Sequence, residues 1–478
     1  MILPLLRLFK NRGEQCGIRR LAKRRRPWPG VVAATWLAVG TLSPAATYYA
    51  APDGSDANPG TLARPFAAIS KAIQKLSPGD TLCLRGGAYY QQAWAPNSGT
   101  PYSPITIAGY TGENPILDGA YTNPAASGSA LFLVQGSNVV VSGITIQRSY
   151  GMGLALEGPG DQALSVTSQS NLENGILVLG SADHSLVRGC AVYFNCCNNQ
   201  NFTNTSWSSG LSAARGGFNS TLADNRVWNN WGEGLSTYEC SNTIITGNTV
   251  FDNQCNVYLS DVRGVRLEGN LIYATPGNLW SNGGSQVGIM LGDEKYTPPS
   301  SDNTVVNNLV MGCHNSLYYW QGVKGGGLIH VIIANNTFVD AAGDANLKLG
   351  IGVHARSAVQ NNIVSQASSI PIALAALTNG ISFSHNLWSE SPPLNLRGDG
   401  DVVGGPRLRA AGPIGPGQLE ADYFQLLAGS PAKSAAQALP AVPVDFFGFP
   451  RGRRPSIGAI ENGRSHALPE PSNGLGKP

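Results

Sequence analysis

The chain has 478 residues, with 59 Gly and only 13% charged residues. A helix-rich protein of this length would carry more Ala, Glu, Lys and Leu, so the balance argues against an all-helical fold and for β-structure with many tight turns. Net charge is +3, but Arg and Lys crowd into residues 7–26 and the remainder is mildly acidic, which leaves no footing for nucleic-acid binding.

In chain order, residues 1–46 come first. Arg19, Arg20, Lys23 and the Arg run at 24–26 precede an apolar run over residues 31–42, and Ser43-Pro44-Ala45-Ala46 then offers small residues for cleavage. A basic, an apolar and a small-residue region in that order read as a signal peptide or membrane-targeting segment, which predicts a secreted, periplasmic or cell-surface protein. The apolar run is too short for a comfortable membrane span, so an uncleaved N-terminal anchor is the one membrane attachment to expect.

Residues 47–119 read as an N-terminal cap and first strands. Phe66, Ile69, Ile73 and Leu76 are spaced as one face of an amphipathic helix, stopped by Ser77-Pro78-Gly79-Asp80, and such a helix would cover the first coil of a repeat protein.

From 120 to 395 the chain repeats. Asn225, Asn248, Asn270, Asn308, Asn336, Asn362 and Asn386 each open an apolar alternation of the kind Asn225-Arg226-Val227-Trp228, at separations of 23, 22, 38, 28, 26 and 24 residues. The shortest is about one turn of a β-solenoid and the longer ones are one turn plus a loop. Gly143 and Cys190 stand where the Asn would fall upstream. Asn recurring at one register predicts a stacked amide ladder, a structural role. The alternation places Ile244 and Val250 inward.

The eight cysteines fit no zinc spacing and read as buried apolar fillers. Residues 396–461 break the repeat and read as an irregular C-terminal cap. Residues 462–478, rich in Gly, Pro and Ser, have the composition of a disordered tail.

Three stretches carry a resemblance. They are Tyr48-Tyr-Ala-Ala-Pro-Asp-Gly-Ser-Asp-Ala-Asn-Pro-Gly-Thr, then Arg64-Pro-Phe, then Pro78-Gly-Asp-Thr-Leu-Cys-Leu-Arg-Gly-Gly-Ala-Tyr. Together with Asn335-Asn-Thr-Phe-Val and Ile457-Gly-Ala-Ile-Glu they resemble the bacterial right-handed parallel β-helix proteins of the pectate-lyase-like superfamily. The likeness spans roughly residues 47 to 461. It implies an all-β fold, a right-handed parallel β-helix, and an acidic polysaccharide as partner. The superfamily includes lyases, hydrolases, epimerases and binding proteins, so fold does not fix activity. The Arg-x-Pro-x-x-Arg stretch of the best-known pectate lyases and the Gly-His-Gly and paired Asp of polygalacturonases are missing from the sequence.

With the ladder as a ruler, Leu235, Val257 and Ile289 align, which puts Glu239, Asp261 and Asp293 in one column with Glu294 beside it and Gln321 following. Stacked turns lie ~4.8 Å apart, so several carboxylates would meet there and call for a cation. Oxygen donors suit Ca²⁺. The expectation is a Ca²⁺-assisted lyase or related epimerase that removes the proton beside a uronate carboxylate. Lys295 is the nearest base, with Lys324, Lys348, His314 and Arg356 on following turns. Glu233, within Trp231-Gly232-Glu233-Gly234, is a further catalytic candidate, and Tyr238 an acid or sugar platform. Tyr258, Tyr318, Tyr319, Trp320 and His314 are the expected substrate contacts. Two carboxyls of this column at glycosidase spacing would instead make a hydrolase. A glycan-binding surface solenoid without chemistry is the third reading. His184, His330, His354 and His385 show no metal spacing. A monomer is expected.

Overall fold

The computed structural model describes residues 45–202, 207–278, 280, 286–295 and 300–461. The expected signal segment, except its last two residues, and the expected disordered tail lie outside the described residues.

Among the described residues the chain winds through three parallel sheets of thirteen, thirteen and eleven strands. One coil shows the plan. Ile105–Gly109 lies in sheet I, Pro115–Asp118 in sheet II and Ala130–Val134 in sheet III, before Val139–Ser142 returns to sheet I beside Ile105–Gly109. Each strand therefore pairs with its equivalent one coil away. Coiling satisfies the backbone groups that a flat sheet would expose at its edges.

Alternation fills the interior. Val250 and Ile245 are fully buried, whereas Ile244 is 43% exposed. The expectation that Ile244 points inward was one residue out of register, and on a period-2 strand that slip turns the side chain to the opposite face.

The amide ladder runs at the turn from sheet I to sheet II. Nδ2 of Asn225 donates to Oδ1 of Asn248 at 3.0 Å, and the same bond recurs through Asn270, Asn308, Asn336, Asn362 and Asn386 at 2.9–3.1 Å. At its upstream end the Cys190 thiol takes the amide's place, accepting from Val166 N. A second ladder, Asn171, Asn195, Asn230 and Asn253, runs at the turn from sheet II to sheet III. Inward-facing Gly153, Gly175, Gly210 and Gly234 leave it room: a Cβ on Gly234 would lie 2.4 Å from Asn253 Nδ2. In the next coil Asn256 replaces the glycine, and its own Oδ1 accepts from Asn253 at 3.1 Å and ends the ladder.

The helix at the N-terminal end is shorter than the Phe66–Leu76 spacing suggested. It spans Ile69–Ile73, buries Ile69, Ala72 and Ile73, and is held at its start by Asp56, which accepts from Ala67 N and Ala68 N. At the other end, Val402–Val403 pairs with Leu387–Trp388. The following residues do more than close that end. They run back over the outer face of sheet II, where Leu419, Ala421, Phe424, Ala459 and Ile460 pack on Phe251, Leu271 and Tyr273. Beneath them Tyr193, Trp228, Phe251 and Tyr273 stack ring on ring, and Arg226 donates to Gly417 O at 3.1 Å. Every cysteine among the described residues is free, and most are buried. No helix among the described residues is long and apolar enough to cross a membrane.

Candidate functional site

Sheet III carries the longest strands, Ser209–Ala214, Glu233–Tyr238, Cys255–Ser260 and Val287–Asp293. Their register pairs Leu235 with Val257 and Val257 with Ile289, and Asp293 with Gln321. The aligned column of Glu239, Asp261, Asp293 and Gln321 therefore exists in the backbone. Its side chains do not converge.

Glu239 is half-exposed and pairs with Arg215 at 3.3 Å. Asp261 turns onto the following coil, accepting from Lys295 N at 2.8 Å and from Glu294 N at 3.0 Å. Asp293 is fully buried and accepts from Ser300 N, Tyr319 Oη and Gly327 N at 2.6, 2.8 and 2.8 Å. Glu294 accepts from Tyr258 Oη at 2.5 Å. Each carboxylate is engaged by the protein in a different direction. No group of three or more His, Cys, Asp or Glu among the described residues is placed to hold a metal. The column does not fit the expected Ca²⁺ site.

A polar cluster lies instead on the outer face of the same strands. Ser209, Glu233, Cys255 and Val287 form one outer column, and Ser212, Ser236, Tyr258, Met290, Tyr318 and Lys348 a second. The inward turn of Gly234 into the ladder brings both columns to one side. Ser209 Oγ donates to Glu233 Oε2 at 2.9 Å. With that proton committed, Ser236 donates to Ser209 at 2.6 Å and Ser212 to Ser236 at 2.9 Å, a relay of hydroxyls ending on one carboxyl. Burial pushes the Glu233 carboxyl up to about 7, the Ser209 bond opposes the rise, and the charge of Glu294 adds to it. Burial, and then the bond to Glu294, hold the Tyr258 phenol protonated well above its ordinary range.

The remaining expected residues scatter around this cluster. Lys295 is exposed beside Glu294, and Lys324 and Arg356 are exposed on later turns. Tyr238 lies under the Arg215 guanidinium, 5.5 Å from ring centre to Cζ. Tyr318 and Trp320 pack against Tyr258, and Lys348 Nζ sits 4.8 Å over the Tyr318 ring. Lys348 and His314 both contact Asp344. His314 lines a cavity of about 430 Å³ with Trp280, Gln286 and Asp340. Tyr319, expected among the exposed aromatics, is buried: its position faces inward and its hydroxyl holds Asp293. Of the histidines read as structural, His354 is buried and accepts from Leu328 N, while His184 and His330 pair with neighbouring Asp.

Sequence reasoning missed Ser209, Ser212 and Ser236. The signal was present, since Ser209-Gly210-Leu211-Ser212 and Glu233-Gly234-Leu235-Ser236 repeat one coil apart.

Coiled parallel sheets and two amide ladders define a right-handed parallel β-helix, the fold of pectate lyase Pel9A. Within that class, residues 48–273 match the family model of the Pel9A-like, right handed beta helix region. The backbone superposes on the crystal structure of pectate lyase Pel9A with a TM-score of 0.58 and 18% identity, covering 88% of this chain and 98% of that one. Pectate lyase PEL9 of Emericella nidulans is 26% identical over 45% of this chain and 56% of its own length. The uncharacterized protein YwoF of Bacillus subtilis (strain 168) is 31% identical over 29% of this chain and 27% of its own. The chain thus spans about a quarter to a half of the curated relatives it matches.

Proposed function

We propose that the protein is an exported polysaccharide lyase that cleaves a uronate-containing chain over the outer face of sheet III, with Glu233 as the proton acceptor. The observation that carries this reading is the half-buried Glu233 carboxyl, bonded to the serine relay and raised to about 7. A base tuned to neutrality is what abstraction of a weakly acidic carbon proton needs. The match to the Pel9A-like model and to a fungal pectate lyase supports the reaction class. Export rests on the basic and apolar order of residues 1–46.

In the proposed step the Glu233 carboxylate takes the proton from the carbon beside the uronate carboxylate. The freed electron pair forms the new carbon–carbon double bond, the bond to the 4-linked oxygen breaks, and solvent returns a proton to that oxygen. Lys295, exposed beside Glu294, supplies positive charge for the uronate. No step is routed through Ca²⁺, because the acids expected to hold it are engaged by the chain. The related epimerase shares the first proton transfer and differs in returning the proton to the opposite face.

One observation favours a second reading. The charge of Glu294 acts on Glu233, and two carboxyls in one site are the working pair of a glycoside hydrolase. The purified chain should therefore be incubated with pectate, alginate and glycosaminoglycans, with and without chelator. A rise in ultraviolet absorbance from unsaturated ends, lost in Glu233→Gln, is the expected result. New reducing ends without that absorbance would replace the lyase by the hydrolase. Binding with neither product would leave a glycan-binding solenoid.

A further inference from the structure

The second outer column of sheet III continues past the Glu233 cluster in both directions. Toward the N-terminal end it runs from Ser236 through Ser212, Leu177, Ala155 and Leu133 to Trp94. Exposure along it is uneven. Trp94 is 47% exposed, Ala155, Ser212, Ser236 and Tyr258 are 0, 3, 4 and 8% exposed, and Leu374 at the far end is 42% exposed. The column is thus exposed at both ends and shielded between them, and its stacked strands follow one another along the helix axis.

Trp94 is a large aromatic left in the open while its polar edge is fixed. Nε1 donates to Gln135 Oε1 at 2.8 Å, and Gln135 Nε2 donates to Glu157 Oε2 at 2.9 Å. This chain of bonds anchors one edge of the ring, and amide and carboxylate acceptors stand beside it. An apolar ring with hydroxyl-binding partners at its rim is a sugar platform. The Glu157 carboxylate sets the chemistry of the sugar: it accepts hydroxyl protons and repels a uronate. Five coil steps separate Trp94 from Ser236, roughly 24 Å at ~4.8 Å per step, so one occupant reaching both must be several units long.

We propose that Trp94, with Gln135 and Glu157, forms a distal subsite for a neutral sugar of the polymer, so that the substrate is a heteropolysaccharide mixing uronate and neutral units and is cut internally. The inference rests on the reading of the Glu233 cluster as the cleavage site. Binding and turnover are therefore measured separately.

Full-length Glu233→Gln protein, with and without Trp94→Ala, is titrated with a heteropolysaccharide alternating uronate and neutral sugar, and with a homopolyuronate. Trp94→Ala is expected to weaken binding of the heteropolymer about tenfold, the loss of one ring contact, and to leave homopolyuronate binding within twofold. Trp94→Phe should recover most of the affinity, and thermal melts of both variants should match the parent. Unchanged heteropolymer binding, equal loss on both polymers, or no binding of either overturns the subsite. Turnover by wild type is scored on its own: no unsaturated product on either polymer sinks the lyase reading, whereas a binding loss confined to the heteropolymer supports the subsite whichever way turnover falls.

Discussion

Replacing Glu233 by Gln tests the site through stability as well as activity. The wild-type carboxyl is raised from 4.5 to about 7 by burial and by Glu294. A carboxyl whose folded pKa lies above its unfolded value favours folding most when protonated in both states, below about pH 4.5. That contribution is lost as pH rises toward 7 and is constant beyond. At ~1.4 kcal/mol per pH unit the loss is about 3 kcal/mol. Gln keeps the shape and still accepts from Ser209, yet carries no charge to bury. Glu233→Gln should therefore match wild type in thermal stability at pH 4.5 and exceed it at pH 8, by up to about 3 kcal/mol, while losing turnover by at least a hundredfold. Melting followed by circular dichroism at the two pH values gives the first result. Initial rates of unsaturated-end formation from pH 5 to pH 9 give the second, with a wild-type rate that climbs through about 7. Parallel pH dependence of stability in the two proteins would refute the buried-charge argument. A rate that falls as pH rises through 7 would make Glu233 an acid and favour hydrolysis.

Other consequences are equally specific. Gly234→Ala drives a Cβ to 2.4 Å from Asn253 Nδ2, so the strand bearing Glu233 must shift; denaturant titration should show a loss of about 1–3 kcal/mol together with reduced turnover. Asn270→Ala strips the acceptor from Asn248 N and Nδ2 and the donor from Ile245 O, and at roughly 1–3 kcal/mol per unmet buried group it should cost several kcal/mol in the same assay. Asp293→Ala leaves Ser300 N, Tyr319 Oη and Gly327 N without their acceptor and should lower the melting temperature more than Glu239→Ala, whose partner Arg215 is exposed. Chelator should leave the melting temperature of the described β-helix unchanged, since the acids of the Glu239 column already have protein partners; a chelator-dependent drop would show that they bind a cation after all.

The coils were legible because their constraints are local and repeat. Asn308, Asn336 and Asn362 each sit one residue after a second Asn, and the pair has two jobs. Asn307, Asn335 and Asn361 hold positive φ of 54°, 52° and 58° at the turn, and the following Asn joins the ladder. Both demands act on neighbouring residues, so the sequence repeats them wherever the chain turns. The helix at Ile69–Ile73 showed in its apolar spacing, but its short extent and the course of residues 407–461 over sheet II depend on partners far away in the chain, of which periodicity carries no record. The slip at Ile244 has the same origin: alternation sets the period of a strand, and only packing fixes its phase.

The turn rule also explains why the acidic column misled. Arg215, Glu239 and Asp261 stack at one turn, with φ of 44°, 49° and 54°. A residue there must tolerate the left-handed region, which polar side chains able to bond their own backbone do better than apolar ones. Asp261 holds that conformation while its carboxylate accepts from Glu294 N and Lys295 N of the next coil. Carboxylates recurring at such a position report the backbone before they report a ligand. Glu233 differs in both respects. It opens a strand, where nothing in the backbone asks for a carboxylate, and it is half-buried near the charge of Glu294 at a cost the fold would avoid by placing an apolar residue there, as it does with Val287 two coils on. A charged group kept where local structure does not need it and burial opposes it is the stronger mark of chemistry, and on that ground Glu233 rather than the aligned column is the residue on which the function should be tested.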